Sequence, residues 1–200
     1  MDYERGKISQ DECYARAGHE FSIEPAVVHR AFEEARDSLQ SNQDFISVIR
    51  DLKVRSKGML QVFAMSNISA PDYEFLRTKL ADWSLFDDIF TSAGVGERKP
   101  GLSFYKAVLS STGADPSRTI FVDDKMENVL SARSLGMCGI VFDDNNTVIR
   151  ALHNLLGDPV ERGRQYLTLN AKNLQSVTNS GVLLQENFTQ LLILEATHDR

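Results

Sequence analysis

The chain has 200 residues, 42% hydrophobic and 25% charged, proportions that fit a globular protein of one domain plus an appendage. With 28 acidic and 22 basic side chains the net charge is −6, which argues against nucleic acid or an anionic membrane as a partner. No apolar run has membrane-spanning length, no signal-peptide core follows Met1, and Cys13 and Cys138 are far apart, so a reduced, cytoplasmic setting is expected.

Residues 1–56 carry helical patterns over about Gln10–Gly18, Pro25–Leu39 and Phe45–Leu52. Ser9, with Glu12 three positions on, has the spacing of a capping box. Met59–Met65 then reads as a buried strand, ending in Ser66 and Asn67. A hydroxyl and an amide at that end could donate to a phosphoryl oxygen. Equally, Ser66, Asn67 or Ser69 could cap the helix Pro71–Leu80 that Pro71 opens.

Trp83, Leu85 and Phe86 form an apolar knot expected to pack in the core, ahead of a strand at Asp88–Ser92. The loop Glu97-Arg98-Lys99-Pro100-Gly101 follows, leading into a helix at Leu102–Ser111. Its Lys99 could neutralise charge on a transferring phosphoryl group, or be an ordinary surface lysine.

Thr119–Asp123 is a third strand, stopping at the adjacent carboxylates Asp123 and Asp124, with a helix over Lys125–Leu135 behind it. Neighbouring carboxylates repel unless a cation or proton is shared, and hard oxygen ligands suit Mg²⁺. The competing reading is a helix cap beside a solvated acid. A fourth strand, Cys138–Phe142, places Cys138 as a small core residue. Asp143 and Asp144 read as caps of the helix Thr147–Leu156. His19, His29, His153 and His198 have no ligand spacing.

Strands alternating with helices predict an α/β fold with a parallel sheet over 57–157. Beyond Gly157 the alternation stops. Leu184, Phe188, Leu191 and Leu192 lie at helical spacing, so 158–200 is expected as a helical extension, either packed on the body or opening a second domain.

Strand–Ser66, then Lys99-Pro100, then strand–Asp123-Asp124–helix resembles the haloacid dehalogenase-like (HAD) superfamily of phosphatases and dehalogenases, over roughly 1–156. The resemblance implies a Rossmann-like core with a helical cap. It implies that Ser66 orients phosphate, Lys99 stabilises nucleophile and phosphate, and Asp123 and Asp124 hold Mg²⁺. The phrase VDDKMENVLSARSLGM is similar to the branch with two-haloacid dehalogenases and epoxide-hydrolase phosphatase domains. The tail NAKNLQSVTNSGVLLQENFTQLLILEAT is similar to the junction of fungal HAD-like terpene cyclases of the drimane-synthase kind. There a HAD half removes phosphate or diphosphate, and a helical half protonates a prenyl diphosphate with a D-x-D-T-T acid. That acid motif is absent from these 200 residues.

A second departure concerns the nucleophile. The family attacks phosphorus with the first Asp of a D-x-D pair on a central first strand, and no two aspartates here are two residues apart. The first βα unit is expected to be missing, leaving a gap one strand wide, about 5 Å from either neighbour. Either the sheet closes without that strand, or a partner or second copy donates one. The expected function is a Mg²⁺-dependent phosphohydrolase-type domain of terpenoid biosynthesis, inactive as truncated. Its ligand would be a small phosphorylated molecule such as a prenyl or terpenyl diphosphate. The alternatives are a non-catalytic interaction module or a dehalogenase-type fragment.

Overall fold

The strands at residues 60–66 and 119–123 are apolar on both sides, so each face of their sheet needs a helical layer. The computed structural model describes residues 2–79, 83–156 and 191–196 and shows that arrangement. Helices α1 (Gln10–Phe21), α2 (Pro25–Ser38) and α3 (Gln43–Arg55) come first, then β1 (Leu60–Ser66) and α4 (Ala70–Arg77). Next are β2 (Asp88–Thr91), the short α5 (Ser92–Val95), α6 (Leu102–Thr112), β3 (Thr119–Asp123) and α7 (Met126–Ser134). β4 (Cys138–Val141), α8 (Asn145–Leu155) and β5 (Leu191–Ala196) complete the order.

The sheet runs β2-β1-β5-β3-β4. β1 pairs β2 and β3 pairs β4 in parallel, as the strand–helix alternation predicts. Alternate residues of β1 and β3 feed two cores. Leu60, Val62, Ile120 and Val122 pack with Ile49 and Leu52 of α3 and Val148 and Leu152 of α8. Phe63, Met65 and Phe121 pack on the other face with Phe104, Tyr105 and Val108 of α6 and Val129 and Ala132 of α7.

Local signals set several boundaries. Ser9 accepts from the Glu12 amide at 3.2 Å, opening α1, and left-handed Ser22 (φ 55°) closes it after Phe21, three residues past the expected Gly18. Ser69, rather than Ser66 or Asn67, caps α4 by accepting from the Asp72 amide at 3.3 Å. Asp144 caps α8 by accepting from the Thr147 amide at 3.0 Å. Gly139 lies so close to α7 that a Cβ there would meet Val129 Cγ1 at 2.7 Å, so β4 and α7 approach only through glycine. Trp83 meets Tyr73 edge-on and Phe86 at a tilt, while Leu85 is buried in the core.

Two expectations fail. Cys138 is exposed, because it starts an outer strand whose inward position falls to Gly139. Residues 191–196, expected within a helix, form a strand between β1 and β3 and antiparallel to both. Met65 pairs with Leu191 and Leu60 with Ala196 on one side; Val122 pairs with Leu192 and Thr119 with Glu195 on the other. The reason is backbone satisfaction. Two facing strand edges would otherwise bury unpaired N–H and C=O groups at about 1–3 kcal/mol each, which outweighs a local helical pattern. The gap expected from the missing strand is therefore filled by the chain itself. The rest of the expected extension, 158–190 and 197–200, lies outside the described residues. No described helix is long and apolar enough to cross a membrane.

Candidate active site

β1 and β3 point their carboxyl ends the same way, and the loop after α5 brings Lys99 between them. The Lys99 ammonium donates to Asp123 Oδ2 at 2.9 Å and to the Met65 carbonyl oxygen at 3.0 Å. Lys99 is 2% exposed and Asp123 1%, so each charge needs the other. Burial pushes the Lys99 ammonium below its usual range, opposed by the carboxylates of Asp123 and then Asp124. Two of its three N–H groups are spent on these bonds.

Asn67 fixes the loop that carries Lys99. Its Oδ1 accepts from the Lys99 amide at 2.8 Å and its Nδ2 donates to the Lys99 carbonyl at 2.9 Å. Ser66, the last residue of β1, follows Met65 and is 5% exposed. Asp124 is partly exposed at the start of the β3–α7 connection, close enough to Lys99 to act on its proton affinity. The structure thus brings Ser66, Asn67, Lys99, Asp123 and Asp124 to one end of the sheet.

Sequence reasoning passed over Asn128. Its Nδ2 lies 3.0 Å from both Asp123 oxygens, while the Lys125 amide donates to Oδ1 at 2.8 Å. Tyr105 of α6 donates to the Asn128 carbonyl at 2.9 Å, and burial raises the phenol far above its ordinary range, so it stays a donor. An asparagine in the first turn after a strand-end acid was the available signal. A second unread network holds the N-terminal region nearby. Glu4 forms an ion pair with Arg98 at 2.7 Å, and Ser92 Oγ donates to the Glu4 carbonyl at 2.6 Å. Burial raises the Glu4 carboxyl, with Arg98 opposing. Arg36 of α2 pairs with Asp72 of α4 at 2.8 Å, where Ser69 also donates at 2.6 Å.

The donor set bears on a divalent ion. Among the described residues no group of three or more His, Cys, Asp or Glu side chains is placed to hold one. Mg²⁺ keeps several waters and uses one or two carboxylates plus substrate phosphate, so the pair Asp123 and Asp124 fits in kind. Asp123 already accepts from Lys99, Lys125 and Asn128, so an ion there would share its oxygens with these donors.

Comparison with known proteins agrees with this fold. A model of haloacid dehalogenase-like hydrolases matches residues 7–136, and one for the C-terminal domain of astC-like sesquiterpene cyclases matches 160–200. The chain is 46% identical over 198 residues to the drimenol cyclase drtB of Aspergillus calidoustus, covering 99% of this chain and 38% of the relative's length. It is 38% identical over 155 residues to the sesquiterpene phosphatase astK of Aspergillus oryzae, covering 78% of each. A HAD-family enzyme of Bacteroides thetaiotaomicron, in complex with magnesium and inorganic phosphate, superposes with a TM-score of 0.58 at 19% identity, over 74% of this chain and 78% of that one. The strand ends, their order and these matches lead to one assignment: the chain belongs to the haloacid dehalogenase-like hydrolase family.

Proposed function

We propose that this chain is the phosphohydrolase-type part of a terpenoid biosynthetic protein, binding a phosphorylated terpenoid with Mg²⁺ at the Lys99–Asp123 end of the sheet. The observation that carries this reading is the buried Lys99 ammonium, shared between Met65 O and Asp123 Oδ2 with one N–H unspent among the described residues. The similarity to a sesquiterpene phosphatase supports the substrate class. The Lys99 N–H and the Ser66 hydroxyl would orient phosphoryl oxygens. Asp124, with Asp123, would hold Mg²⁺, which supplies charge neutralisation at the phosphoryl oxygens when bound. Asn67 and Asn128 would keep Lys99 and Asp123 in place.

The 200 residues carry no D-x-D pair, and Leu191 stands opposite Met65 at the strand end. The 200-residue polypeptide alone should therefore not turn over p-nitrophenyl phosphate with Mg²⁺. Adding an N-terminal apolar strand that ends in Asp-x-Asp should give Mg²⁺-dependent hydrolysis that disappears in Lys99→Met. Turnover by the 200 residues alone, unaffected by Lys99→Met, would refute the reading. The position of β5 favours a second reading, a non-catalytic module. Failure of the extended chain to hydrolyse any phosphate ester would select it.

A further inference from the structure

Two exposed apolar residues open the helices that follow the buried charges, and the proposed function leaves them unused. Leu102 is 40% exposed and Met126 51% exposed. Single exposed apolar residues are ordinary; the placement of these two is not. Leu102 is the first residue of α6, three positions after Lys99; Met126 is the first residue of α7, three after Asp123. Both helices cover the same sheet face, through the core shared by Phe104, Tyr105 and Val129. Their first turns are tied together by the Tyr105 hydroxyl donating to the Asn128 carbonyl at 2.9 Å. Asn128 in turn donates to Asp123. The two apolar side chains therefore crown adjacent helix starts at the end of the sheet where Lys99 and Asp123 meet. Leu130, 54% exposed, continues the strip one turn down α7.

We propose that Leu102 and Met126 form the apolar half of the binding site, receiving the hydrocarbon of a phosphate monoester whose head lies at Lys99 and Asp124. This rests on the anion-site reading given above. A hydrocarbon laid there removes apolar surface from water on both partners. The hydroxyls of a sugar or glycerol ester would lose water against the same surface without gaining partners. The strip thus selects terpenoid phosphates over polar metabolite phosphates.

The test is calorimetric titration of the 200-residue chain, in Mg²⁺, with geranyl phosphate and with glycerol 3-phosphate. Geranyl phosphate should bind at least about tenfold tighter, the scale of discrimination that small apolar contacts supply. Leu102→Ser with Met126→Ser should bring the two esters within about twofold, chiefly by weakening geranyl phosphate. Val54→Ser, on α3 against the opposite core and also exposed, should change neither. Equal affinities in the unaltered chain, or a preference that survives the double substitution, would overturn the proposal with the anion site intact. An equal loss in Val54→Ser would show nonspecific adsorption and overturn it too. Failure of both esters to bind would sink the anion site and this proposal together.

Discussion

Lys99 and Asp123 come from a loop and a strand end 24 positions apart, yet meet at 2.9 Å with almost no exposure. A buried pair of this kind gives little net stability over an apolar pair, but losing one partner strands the other. Lys99→Met should therefore cost about 3–5 kcal/mol in urea unfolding. The double variant Lys99→Met/Asp123→Asn should cost clearly less than the sum of the singles, the signature of direct coupling. Additive losses would mean that the contact carries no energy.

Asn128 predicts a smaller effect on the same carboxylate. Removing its two bonds in Asn128→Ala leaves Asp123 under-satisfied, at about 1–3 kcal/mol. Asn128→Asp should be worse than Ala, because it sets like charge against Asp123. Thermal unfolding of the two variants ranks them directly.

The third prediction concerns the strand between β1 and β3. Ile193 pairs with Phe63 on one side and Phe121 on the other. Ile193→Pro removes a ladder N–H from a central strand and should cost about 3 kcal/mol or more. Deleting 191–200 should expose both edges and produce aggregation on size-exclusion chromatography. A deletion variant that stays monomeric with an unchanged melt would contradict the sheet order.

Most of the fold was legible because its signals are local. The runs ending at Met65 and Asp123 are too apolar to be anything but buried, and Ser9 and Asp144 cap the helices their spacing announces. What was not legible depends on partners distant in sequence. Residues 191–196 carry a helical apolar spacing, and only the two open edges of β1 and β3 make them a strand. Asn67 reads as a phosphoryl donor or a helix cap until the Lys99 backbone closes on it. Asn128 offers only its place in the first turn after a strand-end acid, and its role is fixed by where Asp123 points.

Acid should weaken α8 through its cap. Hydrogen bonds from Thr147 hold the Asp144 carboxyl below the ordinary aspartate value. With a lowered folded pKa, the contribution is present above the unfolded value and lost as pH falls through the folded one. Asp144→Asn keeps a capping oxygen without the titration. The stability advantage of the unaltered chain over Asp144→Asn should therefore shrink between pH 6 and pH 3, followed by urea titration at each pH. An advantage that is constant with pH would exclude the charge.

The most direct measurement is calorimetric titration of inorganic phosphate into the 200-residue chain with and without Mg²⁺. The account predicts saturable binding that requires Mg²⁺ and weakens by about tenfold or more in both Lys99→Met and Asp124→Asn. Binding that is indifferent to the metal and unchanged in both folded variants would contradict it.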